Sequence, residues 1–402
     1  MKTTSTKFLL MLGIPAFGLT FAVTTLTAYL PVFLHSLVNP IFVGLIIGGE
    51  GIFSLFIPFI FGVLSDRAKT VAGRWHYLVP AVGAMASALI LMGLIRHLAV
   101  IAPMVALFYL GYFAYLAPYW ATYPDIIDKA HAGRSRSAES VWRVTGAFFA
   151  LVGSGFLLSA WKPLPFIVSA GLVVTVTLIF GWIIKGYYRT PIKTEDRQVT
   201  TAARQSWRLL KSHSNIRNLL IANALWNATL QSIQAFTVLF FTQGLHRSTS
   251  FVSGVIFPIA AIGLLIMAPI SGKLADRYSH YRVLLIACLI YGLGDLLPVF
   301  SQASVIILII PLVSGAAATV MTLPYAALMR LMGKEHHGAL SGLFGVSRGI
   351  GTFLGPLLTG VTVVVASNIF KSTNGWAGMW LACGLFMLVS LLFFMRLSPK
   401  AI

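Results

Sequence analysis

The sequence predicts an all-α membrane protein with twelve transmembrane helices in two pseudo-symmetric six-helix halves. Three observations carry this. Apolar residues make up 58% of the 402 and charged residues 10%, with a mean hydropathy of +0.87, whereas a soluble domain carries about a quarter charged residues. Apolar runs of about 20 residues, the length a bilayer-spanning helix needs, recur along the whole chain. Short motifs of the first half return in the second half in the same order.

The apolar segments cover about 8–34, 42–64, 76–96, 99–123, 138–160, 164–184, 216–242, 251–271, 282–301, 303–327, 339–366 and 376–395. The first runs on too far for a signal peptide and reads as a span. With both termini in the cytoplasm, only four of the 29 basic residues, Arg96, Lys162, Arg247 and Lys371, fall in outer loops, and Arg143 and Arg348 fall inside segments. All the others are on the inner side. That asymmetry is the positive-inside rule, and it sets the orientation. The net charge of +19 is therefore topological and requires no nucleic acid or other acidic partner. Cys288 and Cys383 both lie in apolar segments, giving neither a disulfide framework nor a metal spacing. The sequence contains no nucleophile–base constellation, phosphate loop or metal-spaced cluster, so neither an enzyme nor a cofactor is expected.

The repeats divide the chain. G-V-L-S-D-R at Gly62–Arg67 returns as G-K-L-A-D-R at Gly272–Arg277; Pro118-Tyr119 returns as Pro324-Tyr325; R-V-T-G-A-F at Arg143–Phe148 returns as R-G-I-G-T-F at Arg348–Phe353. The predicted organisation is an N-terminal half over 1–184, a polar, basic cytoplasmic linker over 185–215 and a C-terminal half over 216–402. Parallel halves of this kind imply a transporter that rocks about a site at their interface.

The sequence Gly-x-x-x-Asp-Arg after the second segment, repeated after the eighth, resembles the loop signature of the major facilitator superfamily along the whole chain. Three further features resemble its branch of sucrose-type and glycoside–cation symporters: G-V-L-S-D-R-A-K-T-V-A-G-R over 62–74, A-P-Y-W-A-T-Y-P-D over 117–125, and an acid about 16 residues before the loop Asp. The chain departs from that branch at Gly73-Arg74-Trp75-His76, where Gly-Arg-Arg-x-Pro is usual, and at Trp120, where Arg is common. The resemblance implies a proton-coupled carrier, by the branch's habit a symporter, of a small neutral polar solute such as a sugar or glycoside. Its partners would be the solute, protons and lipid, and it would act as a monomer in a bacterial cytoplasmic membrane. An exporter, an organic-anion carrier or a non-transporting receptor of the same fold are the alternatives.

Glu50, in I-I-G-G-E-G-I, is the one acid well inside a segment, about 12 Å deep at 1.5 Å per residue. A charge at that depth is costly and faces a cavity or a partner. It reads as the coupling carboxylate, or else as a structural acid. Arg348 lies at a similar depth, and the superfamily fold implies that its segment meets that of Glu50. It is a partner that breaks and re-forms, a permanent bridge, or a clamp for an anionic solute. Glu139 and Arg143, four apart on one helical face, read as a local gate or scaffold. Asn223, Asn227, Gln231 and Gln234 fall within roughly 80° of a helical wheel. Such a stripe lines a wet cavity and bonds a polar solute, or it joins helices. Tyr109, Tyr112, Tyr115, Tyr119 and Tyr123 form a wider stripe, for a sugar ring or for packing, with Trp120 and Trp226 beside the two stripes. The superfamily fold implies that both stripes line a central cavity. Asp66-Arg67 and Asp276-Arg277 read as conformational gates that set an acid at a helix N-terminus, or as solvated loop charges. Gly351 and Gly355 read as close-packing positions.

Overall fold

The computed structural model describes residues 5–128, 131–191, 213–300, 303–331 and 337–397. Most of the linker expected over 185–215 lies outside the described residues, as do Lys2, Lys129, Lys193, Arg197, Arg204, Arg208, Lys211, Lys334 and Lys400 from the charge asymmetry.

The described residues form twelve long helices. These are α1 (Thr6–Leu34), α2 (Pro40–Asp66), α3 (Trp75–Leu94), α4 (Leu98–Ile126), α5 (Ala132–Ala160), α6 (Leu164–Ile184), α7 (Ser214–Leu239), α8 (Thr249–Tyr278), α9 (His280–Phe300), α10 (Ala303–Arg330), α11 (His337–Val365) and α12 (Gly378–Phe394). Ten are long and apolar enough to cross a bilayer. The exceptions have physical reasons: α12 has 17 residues, and α7 is diluted by its amides. Serines start two of the helices. Ser5 accepts the Phe8 N–H at the head of α1, and Ser248 accepts the Phe251 N–H at the head of α8, each answering one of the orphan donors of a helix N-terminus.

The chain groups into two compact units, one of Met1–Leu37 with Phe53–Asp196 and one of Val38–Ile52 with Arg197–Ile402. The first part of α2 thus groups with the C-terminal helices rather than with its sequence neighbours. In the first unit α1 packs on α5 and α6, and α3 packs on α4 and α6. In the second unit α7 packs on α11 and α12, and α9 packs on α10 and α12. The repeats on α4 and α10, and on α5 and α11, therefore sit in matching packing.

Small residues set the spacing in the second unit. A Cβ on Gly351 would run into the carbonyl of Ala224, and one on Gly355 into the carbonyl of Ala228, so α7 and α11 touch backbone to backbone. This is the close approach that small residues permit between membrane helices. Gly355→Ala is expected to lower stability by about 1–3 kcal/mol through forced separation of the two helices. A fall in the thermal unfolding temperature in detergent checks it.

Candidate functional site

The setting of Glu50 begins with its flanking glycines. Gly48 and Gly51 lie against the backbone of Phe353 and Gly349 on α11, and Gly44 lies against Pro356. Any side chain at Gly44 or Gly51 would collide with α11, so the glycines let α2 lie flush on it. Gly49, beside Glu50, faces open space. Held this way, Glu50 is half-buried, and its Oε2 accepts a hydrogen bond from Gln231 Nε2 of α7 at 2.8 Å. Three helices, α2, α7 and α11, thus converge on one carboxylate within the second unit. Arg348 on α11 is exposed and within electrostatic reach of Glu50. It makes no ion pair with it; the ion pairs among the described residues lie elsewhere.

The amides of α7 form a ladder. Asn223 is buried and donates to Ser347 Oγ of α11 at 2.6 Å. One turn on, Asn227 Nδ2 donates to the Asn223 backbone carbonyl at 2.8 Å and to its Oδ1 at 3.2 Å. One turn further, Gln231 donates to Glu50. Each amide bonds within reach of the last, so the stripe ends on the acid. Gln234 is half-buried and has no hydrogen-bond partner among the described residues.

The aromatic residues go elsewhere. Trp226 is buried, donates to Ser390 Oγ of α12 at 2.8 Å and packs on Phe394. This places it in the core of the second unit, not beside the amides. Tyr115 and Tyr119 are fully buried in the first unit. Tyr115 accepts from Thr177 of α6, and Tyr119 bonds to Tyr123 and to the Leu12 carbonyl of α1. Tyr112 is buried with its ring stacked on Phe108. The tyrosine stripe is helix packing in this structure. Its periodicity marks a shared face, of which Tyr115, Tyr119 and Tyr123 meet α1 or α6 while Tyr109 lies against Phe53 of α2.

Trp120 donates its indole N–H to Glu139 at 2.9 Å, and Arg136 binds the other Glu139 oxygen at 2.7 Å while lying over the Trp120 ring. Glu139 is buried. Its partner is therefore Arg136, three residues back, and not Arg143, which is exposed. A second acid, Asp295 of α9, is fully buried with neither carboxylate oxygen hydrogen-bonded among the described residues.

At the end of α2 the loop motif closes on Arg74, whose side chain is 3% exposed. Its Nε donates to Asp125 Oδ2 at 3.0 Å, its second guanidinium nitrogen lies 2.9 Å from the same oxygen, and the third donates to Ser65 Oγ at 3.0 Å. Asp66 is 3.5 Å from this guanidinium. The loop is also tied to the end of α6, where Val71 and Ala72 donate backbone N–H groups to the carbonyls of Thr190 and Tyr188. Arg67 is exposed. In the second repeat, Asp276 lies 3.7 Å from Arg330, both well exposed, and Arg277 lies over the Tyr278 ring. The two copies of the motif are thus not equivalent.

The sequence profile of the Major Facilitator Superfamily matches residues 138–294 and again 249–402, together well over half of the chain. The chain belongs to the Major Facilitator Superfamily. Its described helices, ten of them long and apolar enough to cross a membrane, have that superfamily's fold. Among curated proteins, this superfamily member is 31% identical over 120 residues to the uncharacterized MFS-type transporter YfiU of Bacillus subtilis (strain 168), covering 30% of this chain and 21% of that protein. It is 26% identical to the multidrug resistance protein MdtG of Serratia proteamaculans (strain 568), covering 60% of this chain and 57% of that one. Both matches span less than two thirds of the relative's length. The match to MdtG of Klebsiella pneumoniae (strain 342), at 24% identity, covers 81% of this chain and 77% of that one. Among solved structures, a bacterial homologue of the human lysosomal transporter Spinster, inward-facing and occupied, superposes with a TM-score of 0.81 at 13% identity, covering 100% of this chain and 99% of the other. The nucleoside transporter NupG gives 0.78 at 17% identity over 97% and 98%. At such identities the likeness is one of fold.

Sequence reasoning alone passed over two parts of this superfamily member's site. Arg74 and Asp125 are 51 positions apart, and only the meeting of α3 with α4 joins them; the available signal was a basic residue at the start of α3 and an acid at the end of α4. Ser347 was passed over because a lone serine carries no pattern.

Proposed function

We propose that this superfamily member is a proton-coupled symporter of a small neutral polar solute, a sugar or glycoside, working by alternating access, with both termini in the cytoplasm. The observation that carries the reading is the bond from Gln231 to Glu50. It joins an acid deep in a membrane helix to a ladder of uncharged amides. Glu50 is the coupling site in this reading. A carboxylate in such a place can take up and release a proton as its access to water alternates. Asn227, Gln231 and Gln234 meet the solute, because amides bond hydroxyls as donors and as acceptors. The resemblance of 62–74 and 117–125 to the glycoside–cation branch supports import by symport.

The test is a measurement of solute-evoked proton currents in proteoliposomes, with monosaccharides, disaccharides, amino acids and organic acids offered in turn. A current with neutral sugars or glycosides is expected. A current with organic acids alone would defeat the solute class. Arg348→Gln is expected to retain neutral-solute binding within about threefold, since an unpaired exposed charge contributes little to a neutral ligand; loss of all binding would make Arg348 an anion clamp.

The multidrug resistance relatives favour a second reading, proton-driven export. Efflux of lipophilic cations from loaded vesicles under a pH gradient, with no sugar current, would select it.

A further inference from the structure

The amide ladder of α7 has a direction. Asn223 gives its N–H to Ser347, Asn227 gives its own to Asn223, and Gln231 gives its own to Glu50. Each of these three amides thus commits an N–H to a neighbour along the stripe. Asn227 Oδ1 is left without a donor among the described residues, one helical turn from Gln231, and Gln234 stands three residues beyond with no partner. The stripe as it stands thus presents the Asn227 oxygen next to an amide that has one of its two N–H groups committed to Glu50.

An ionised carboxylate only accepts, whereas a protonated one also donates. The bond seen here, from Nε2 to the carboxylate, suits the ionised form. When the acid carries a proton, its O–H can donate to the amide oxygen of Gln231. A half-turn of the amide then releases the NH₂ group from Glu50 and directs it to the stripe. We infer that Gln231 reads the proton on Glu50 and reports it to the solute site, so that the proton binds first and a solute hydroxyl is then held between Asn227 Oδ1 and the released Gln231 NH₂. This rests on the reading of Glu50 as the coupling site. It goes beyond that reading by giving an order of binding, a residue that enforces it, and a ligand chemistry: a hydroxyl, which is donor and acceptor at once. A solute with only acceptors or only donors cannot satisfy both ends.

The surroundings of Glu50 permit a switch of this kind. Arg348 on α11 is the charged group set against the acid. The stretch of α7 from Asn223 to Gln234 brings amides and no charge, and α2 brings no second charge until Asp66 at its far end. The carboxylate is flanked by glycines rather than by further donors. The Gln231 amide is therefore the hydrogen-bonding side chain that the structure sets on it.

The experiment uses the full chain in proteoliposomes, with sucrose, lactose, a methyl glucoside and uridine as probes. The half-saturating concentration of whichever probe evokes a current is measured from pH 6 to pH 8. The wild type is expected to bind about tenfold more weakly at the upper end, the worth of one hydrogen bond of about 1.4 kcal/mol. Gln231→Leu is expected to weaken binding at pH 6 to about the wild-type value at pH 8, and so to flatten that dependence to under twofold. Gln231→Met keeps the length of the side chain without its hydrogen bonds and is expected to behave in the same way, which covers poor folding of the leucine variant. Wild-type pH dependence in both variants would overturn the inference and leave proton coupling standing. Absence of any proton current in the wild type, or a current undiminished by Glu50→Gln, would overturn the coupling reading and the inference with it.

Discussion

Glu50→Gln is expected to abolish proton-driven accumulation while leaving solute binding and solute–solute exchange in place. The amide has nearly the volume of the carboxyl group and can still bond to Gln231, so the packing of α2 on α11 is kept. It cannot exchange a proton. A one-unit pH gradient is worth about 1.4 kcal/mol per proton, or a tenfold accumulation, and the variant should lose all of it, levelling the solute to equal concentrations inside and out. Uptake into vesicles with and without an imposed gradient measures this directly. Accumulation equal to wild type would make Glu50 a structural acid bonded to α7, and the proposed coupling would fall.

The second large effect concerns the loop motif. Arg74→Ala is expected to destabilise the protein by about 3–5 kcal/mol, the usual cost of removing one partner of a buried ion pair. Asp125, whose side chain is 11% exposed, would lose two guanidinium contacts and keep its charge. Ser65, fully buried, would lose the donor to its hydroxyl. Arg74→Lys should restore only part, because an ammonium cannot reproduce the two-point contact with Asp125. Thermal unfolding in detergent gives the ranking; an alanine variant as stable as wild type would mean that the pair contributes little. Removing Arg330, the exposed partner of Asp276 in the second repeat, should cost far less, since exposed pairs are worth about 0–1 kcal/mol.

The helices were legible because lipid demands long apolar runs. The expected second segment, 42–64, became Pro40–Asp66, and the twelfth, 376–395, became Gly378–Phe394. Even α7, which falls short of the apolarity of the ten clear spans, was legible as the apolar segment 216–242. Helical periodicity also brought out the four-amide stripe. What it cannot reveal is the neighbour that a face meets. The same argument put Tyr115 and Tyr119 on one face of α4, and that face packs on α1 and α6. Trp226, beside the amides in the sequence, turns to α12. The Glu139–Arg143 spacing suited a pair, yet Arg136 also lies within one turn and has the Trp120 ring to rest on. Contacts made through tertiary proximity, such as Arg74 with Asp125, leave no trace in any single segment.

Helix α11 is thin on two sides. Its backbone meets α2 at Gly349, Phe353 and Pro356, and meets α7 at Gly351 and Gly355. A further side carries the exposed apolar residues Val346, Ile350, Leu354 and Leu358. The gap between Glu50 and the α7 amides is therefore gauged by main-chain thickness for as long as the facing positions are glycine. Substitutions along the exposed stripe can accumulate without moving the acid relative to its amide, whereas one added methyl on either thin side shifts it. Evolutionary freedom in this helix is thus partitioned by angle around its axis rather than by distance from the site.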